Sequence, residues 1–252
     1  MPISESTDRP GDLPTWTRSE LASTVRVGDL VFIRIRYPPF KAIASATGTW
    51  TNHVGIVVDF NRSGPIIAES RVPLSRRTTL NAYVRRSEDG RLAVLRLPRR
   101  LTNQEAERVR AAAYARLGRL YDTGFDIDSH RQFCSRFVHE VLKEACDESL
   151  GEISTLAALL VRQADTDLRF WKLWYFGNIP WRRRTITPAS LYLDPTLQVA
   201  FDGRLCARAG ADAHPGIASP ASAPLPSAQD SLSLPPERDA QRYKGGAEWP
   251  SS

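Results

Sequence analysis

Gln132-Phe133-Cys134-Ser135-Arg136-Phe137-Val138 places a cysteine where a polar, turn-rich stretch (residues 121–132) gives way to apolar periodicity. Phe133, Phe137, Val141 and Ala145 recur every four residues, with Val138 and Leu142 beside them. That spacing predicts an amphipathic helix over residues 134–148 with Cys134 in its first turn. A thiol there meets unpaired backbone N–H groups and the positive end of the helix dipole. Both favour the thiolate, the form that attacks carbonyl carbon.

A nucleophilic thiol needs a base and a group to hold that base. His53 opens the apolar run Val54-Gly55-Ile56-Val57-Val58, a rigid strand end suited to holding an imidazole. Glu69 closes Pro65-Ile66-Ile67-Ala68, a second strand one hairpin away across Asn61-Arg62-Ser63-Gly64. Residues on adjacent antiparallel strands come within reach of each other, so a His53–Glu69 hydrogen bond is geometrically reasonable. Each residue also has a plainer role open to it. Cys134 suits a small core position, His53 a satisfied structural histidine, and Glu69 an exposed hairpin end.

Further strands are predicted at residues 30–36, after the turn Val27-Gly28-Asp29, and at 91–97. Four strands joined by short turns imply a mainly antiparallel sheet. Tyr37-Pro38-Pro39-Phe40 breaks the first strand, and the small, polar residues 41–51 read as a loop. Thr102-Asn103-Gln104-Glu105 is a capping box for a helix to about Leu117, with Gly118 as its stop. Helices are also expected at 156–161 and from Thr187-Pro188-Ala189-Ser190-Leu191, and a closing strand at 198–201. The organisation expected is a polar lead-in over 1–25, with Leu21 and Val25 on a short helical turn, a folded domain over 26–206, and a disordered tail over 207–252. Seven of the chain's 18 prolines fall in that tail, among Ala, Ser and Gly.

The 252 residues suffice for one sizeable core, and 42% hydrophobic with 25% charged residues is ordinary for a globular protein. The net charge of +6 is dispersed, apart from Arg182-Arg183-Arg184 and the pairs Arg76-Arg77, Arg85-Arg86 and Arg99-Arg100. No recognition motif accompanies it, so nucleic acid is not the expected partner. The three widely spaced cysteines, Cys134, Cys146 and Cys206, suit a reducing compartment rather than a disulfide framework. No paired His/Cys spacing suggests a metal, and no cofactor is expected. The polar N-terminus and the lack of an 18-residue apolar run lead to the expectation of a cytoplasmic protein.

Five segments in this order resemble a known family: Gly28-Asp29-Leu30-Val31, Asn52-His53-Val54-Gly55-Ile56-Val57, Ile67-Ala68-Glu69-Ser70, Leu120-Tyr121-Asp122 and Phe133-Cys134-Ser135-Arg136-Phe137-Val138. They are similar to the permuted papain-like cysteine hydrolases, the YiiX/YebB-like branch of the NlpC-type superfamily, known from bacteria. The resemblance covers roughly residues 26–200, and the segment at 187–191 looks like the family's closing element. It implies an α+β, circularly permuted papain-like fold, a mainly antiparallel sheet packed against helices with the cysteine at a helix N-terminus. It also implies a nucleophile at Cys134, a base at His53, a third polar residue at Glu69, and a role for Tyr121 in binding substrate or the oxyanion. Phe133 stands where a tyrosine is commoner, and Arg136 where an acidic residue is commoner, which leaves the substrate open.

The function expected is a thiol hydrolase that cleaves an amide, a cell-wall-type peptide or an N-acyl compound, through a thioester. An acyltransferase or lipid esterase with the same Cys–His site, and an idle papain-like binding domain, are the alternatives. His130, in the loop before the cysteine helix, is a candidate to approach the site. His139, five residues past Cys134 and about 140° round the helix, should face elsewhere, as should Cys146. The aromatic residues 170–181, followed by three arginines, suit either a cap over the core or an acyl-binding wall that includes Trp174 as a substrate contact. Residues 170–184 could also meet a membrane surface.

Overall fold

A computed structural model of the chain describes residues 13–162 and 166–206. The expected tail over 207–252 lies outside the described residues. In chain order, strand β1 (Thr15–Trp16) and helix α1 (Arg18–Thr24) precede β2 (Leu30–Ile35), α2 (Pro38–Thr47), β3 (His53–Asn61), β4 (Gly64–Glu69) and β5 (Arg76–Thr79). Then come α3 (Leu80–Val84), β6 (Ser87–Arg96), α4 (Asn103–Tyr114) and α5 (Cys134–Cys146). The chain continues through β7 (Ile153–Thr155), α6 (Leu156–Arg162), α7 (Leu168–Trp174), β8 (Arg184–Ile186), α8 (Pro188–Tyr192) and β9 (Gln198–Leu205). Seven strands form one sheet in the order β1-β9-β6-β2-β3-β4-β5, antiparallel except for the β1–β9 pair, and β7 with β8 makes a separate ribbon.

The sheet is covered on both faces, and its sequence shows why. In β2, Leu30 and Phe32 join a core with Val109, Ala112 and Ala113 of α4 and Phe137, Val138 and Val141 of α5. The alternate residues Val31, Ile33 and Ile35 join a second core with Leu21 of α1 and Leu80, Tyr83 and Val84 of α3. A strand buried on both sides reads as a continuous apolar run, as Leu30-Val31-Phe32-Ile33 does. Each fully buried Val, Leu, Ile or Phe among these contributes on the order of 1.5–3 kcal/mol.

Two expectations change. Residues 41–51 are not simply a loop, because Pro38–Thr47 forms α2. Proline is favoured at the first helical position, where its missing N–H and fixed φ cost nothing. Gly48, at φ 64°, ends the helix in the left-handed conformation that glycine adopts readily. The helix's small alanines conceal its periodicity. Residues 13–25, inside the expected lead-in, are built into the domain. Thr15 and Trp16 pair with Arg204 and Leu205, and Leu21 and Val25 are buried. Strand β9 runs beyond residue 201, paired with β6 at residues 202–204 and with β1 at 204–205. The Thr102–Glu105 capping box forms as expected and starts α4.

Gly55 of β3 is required by packing. A Cβ there would lie 2.6 Å from Ile67 Cγ2 and 3.0 Å from Tyr83 Cε2. Gly55→Ala should therefore lower stability by about 1–3 kcal/mol, read as a reduced urea midpoint. A midpoint equal to the parent's would show that the site tolerates a methyl group.

Candidate active site

Antiparallel pairing of β3 with β4 sets the first part of the site. Ile56 stands opposite Ala68, so the same register carried one residue outward puts Glu69 opposite Gly55, with His53 diagonal to it. Diagonal neighbours are within reach of long side chains, and Gly55 puts no side chain between them. His53 Nε2 lies 2.6 Å from Glu69 Oε2, and both side chains are fully buried. Tyr83 stacks on the imidazole at 5.8 Å and Phe40 of α2 meets it edge-on at 6.2 Å. Arg86 Nη2 donates to Glu69 Oε1 at 2.7 Å and to Oε2 at 2.8 Å. This arginine was visible in the sequence only as half of a basic pair; its spacing from Glu69 gave no signal of the contact.

Helix α5 supplies the second part. Phe133 is its N-cap and offers no side-chain hydrogen bond to the first turn, so the backbone N–H groups around Cys134 are left for the site itself. The helix start is fastened from several sides. Ser135 Oγ donates to the Ile186 carbonyl at 2.8 Å, and Ser70 Oγ to the Gln132 carbonyl at 2.9 Å. Arg136 bridges to Glu140 at 2.7 Å and to the Arg131 carbonyl at 2.9 Å, bracing the loop that leads into the helix. The unusual arginine after Ser135 is thus a support for that loop.

The electrostatics tie the two parts together. Burial disfavours the Cys134 thiolate, but the charge of His53 and hydrogen bonds from the Val54 and Ser135 backbone amides outweigh it and lower the thiol pKa. Burial likewise disfavours the His53 imidazolium, yet Cys134 and then Glu69 outweigh it and raise the imidazole pKa. Burial also works against the Glu69 carboxylate, and its His53 and Arg86 partners overcome that and lower its pKa. The three shifts share one direction: each favours the charged form of its group. With Nε2 held by Glu69, Nδ1 is the ring nitrogen left for the thiol. It is buried, and the charge of Cys134 and a hydrogen bond with it help to raise the imidazole pKa.

The Tyr121 hydroxyl is also buried, beside Cys134. Burial, followed by the charge of Cys134, pushes its pKa well above the ordinary value, so it stays a donor beside the sulfur. Cys134 and Tyr121 open on a narrow slot walled largely by apolar side chains, including Ile43 and Ala46 of α2, Phe125, Leu160 and Trp171. Trp174, the residue expected from the sequence to contact substrate, does not line it. Its indole donates to the Thr123 carbonyl at 2.9 Å and its ring stacks on Phe125 and Phe170. Trp171 of α7 is buried against the slot, while Trp174 is held beside it by Thr123, Phe125 and Phe170. His130 is exposed, and His139 faces away, with Nδ1 at 2.6 Å from the Leu150 carbonyl. The three cysteines are free. Among the described residues, no group of three or more His, Cys, Asp or Glu side chains is placed to hold a metal ion.

Comparison with known proteins bears on the family and the fold. Over 172 residues the chain is 28% identical to the uncharacterized protein YiiX of Escherichia coli strain K12, covering 68% of this chain and 84% of that one. The crystal structure of YiiX from Escherichia coli O157:H7, titled a metalloprotein, superposes with a TM-score of 0.64 at 25% identity, over 72% of this chain and 99% of that one. Residues 24–201 match the family described as permuted papain-like amidase enzymes, YaeF/YiiX, C92 family. With its His and Glu strands placed before its Cys helix, this chain belongs to the permuted papain-like amidase family.

Proposed function

We propose that the protein is a cysteine-dependent amidase that hydrolyses N-acyl compounds through a thioester on Cys134. The observation that carries this reading is the buried Cys134–His53–Glu69 array opening on an apolar slot. In the first half-reaction, Sγ attacks the amide carbonyl carbon and the C=O electron pair moves to oxygen. The Cys134 backbone N–H and the Tyr121 hydroxyl are the donors nearest to hand for that oxyanion. The imidazolium then gives its Nδ1 proton to the leaving nitrogen, the C–N bond breaks, and the amine departs. In the second, neutral His53 takes a proton from water, whose oxygen attacks the thioester carbon. The C–S bond breaks, releasing the carboxylic acid and restoring the thiolate. Glu69 stabilises the imidazolium and fixes the ring, and Arg86 positions Glu69.

The slot supports an N-acyl substrate over a polar cell-wall peptide, because its lining offers an acyl chain apolar contact and a peptide few hydrogen bonds. Contact of residues 170–184 with a lipid surface is a second part of the proposal. Leu173 is 80% and Phe176 98% exposed, beside the exposed Lys172. Leu173→Ser with Phe176→Ser should reduce co-sedimentation with anionic vesicles, and undiminished sedimentation would remove the contact.

Brief alkylation near neutral pH, read by mass spectrometry, should modify Cys134 well ahead of Cys146, whose pKa is raised by burial. Cys134→Ala should abolish amide hydrolysis while the protein stays folded. Equal labelling of the cysteines, or hydrolysis surviving in that variant, would remove Cys134 as the nucleophile.

The pH profile follows from the two opposed shifts. The thiolate–imidazolium pair forms as pH rises past the lowered Cys134 pKa and is lost as pH rises through the raised His53 pKa. Glu69→Gln withdraws one cause of the His53 elevation, so the alkaline limb of kcat/KM should move to lower pH, with turnover falling roughly 10²- to 10⁴-fold. An unmoved alkaline limb would separate Glu69 from the mechanism.

A further inference from the structure

His53 also forms part of the wall of a second cavity, of about 700 Å³. Four arginines line it: Arg36, Arg71, Arg85 and Arg86. Two have carboxylate partners. Arg86 holds Glu69, and Arg36 reaches Glu88 at 3.5 Å and Asp89 at 3.4 Å. Glu88, the acidic residue in the lining, is already shared with Arg34 at 2.9 Å and Lys41 at 3.6 Å. Among the described residues, the Arg71 and Arg85 side chains have neither a hydrogen bond nor an ion pair. Arg71 is half-buried and Arg85 exposed; burial and the like charges of Arg86 and Arg76 work against the charge of Arg71, and the Glu69 carboxylate offsets part of that. A cavity that gathers guanidinium groups with no carboxylate in direct contact, beside a buried base, is poised for an anion.

The chemistry orients that anion. The proton leaving His53 goes to the departing nitrogen, so the amine side of the substrate must lie at the imidazole. The acyl side lies at Cys134 and Tyr121, along the apolar slot. We propose that Arg71 and Arg85 bind an anionic group, carboxylate or phosphate, on the amine that leaves, so that the preferred substrates are amides of an apolar acyl group with an anionic amine such as an amino acid. Guanidinium forks match both groups with paired hydrogen bonds. The orientation rests on the amidase function proposed above; the anion site itself does not.

Two measurements separate the two. In the folded Cys134→Ser protein, binding of N-dodecanoylglutamate should exceed that of its uncharged diamide by about tenfold or more. Arg71→Gln with Arg85→Gln should cut that ratio to about one to three, while Arg71→Lys keeps part of it. In the parent protein, hydrolysis of the same pair should show the same preference in kcat/KM. N-dodecanoyl-phosphoethanolamine, run alongside, assigns the site to phosphate if it is preferred to the glutamate compound and to carboxylate if it is not. Equal binding of charged and uncharged compounds, or a preference that survives the double substitution, overturns the anion site even if both are hydrolysed. Charge-selective binding without hydrolysis of any of them overturns the amidase and leaves the anion site standing.

Discussion

An imidazole and a carboxylate share a fully buried hydrogen bond at the end of two strands, and much of the surrounding structure is fitted to that fact. An ionised carboxylate removed from water is costly unless it is paired, and removing one partner of such a pair commonly costs about 3–5 kcal/mol. Glu69 is paired twice, with His53 on one side and Arg86 on the other. A slip of one residue in the β3–β4 register would send the two side chains to opposite faces of the sheet. Gly55 keeps the space between them clear, and Tyr83, anchored by its hydroxyl to the Val31 carbonyl at 2.9 Å, closes one side of the ring.

The thiol of Cys134 comes from a different part of the chain and is held by different means. Helix α5 buries its apolar face in one core while its first turn remains uncapped at the cleft. Its starting position is fixed by hydrogen bonds from Ser70 and Ser135 rather than by the helix itself. A thiol on a packed helix and a base on a rigid strand are placed with little freedom, and pre-set geometry is what lets such pairs act. The cleft walls come from α2, α6 and α7, shorter helices that flank the sheet. The thiol, imidazole and carboxylate thus sit on the most buried elements, and the walls of the slot on more peripheral helices.

Several parts of this arrangement were legible in the residues alone. The four-residue periodicity from Phe133 to Ala145 gave α5 and put Cys134 in its first turn. The apolar runs after His53 and before Glu69, with a turn signal between them, gave a hairpin carrying both residues. The 102–105 capping box gave the start of α4. Local rules sufficed in each case, because propensity, periodicity and capping act within one or two turns of chain. Helix α2 was missed because its prolines look like a break and its alanines carry almost no amphipathic pattern.

The sequence by itself determined which side chains could do thiol chemistry and on which elements they stand. Only the tertiary structure decided how they meet. Arg86 behind Glu69, Trp171 rather than Trp174 in the slot, and Thr15–Trp16 closing the sheet beside β9 depend on contacts between residues far apart in the chain. No local propensity encodes such contacts. They arise because burying both faces of the sheet leaves few arrangements of the covering helices, and the charges carried inside then select among those that remain.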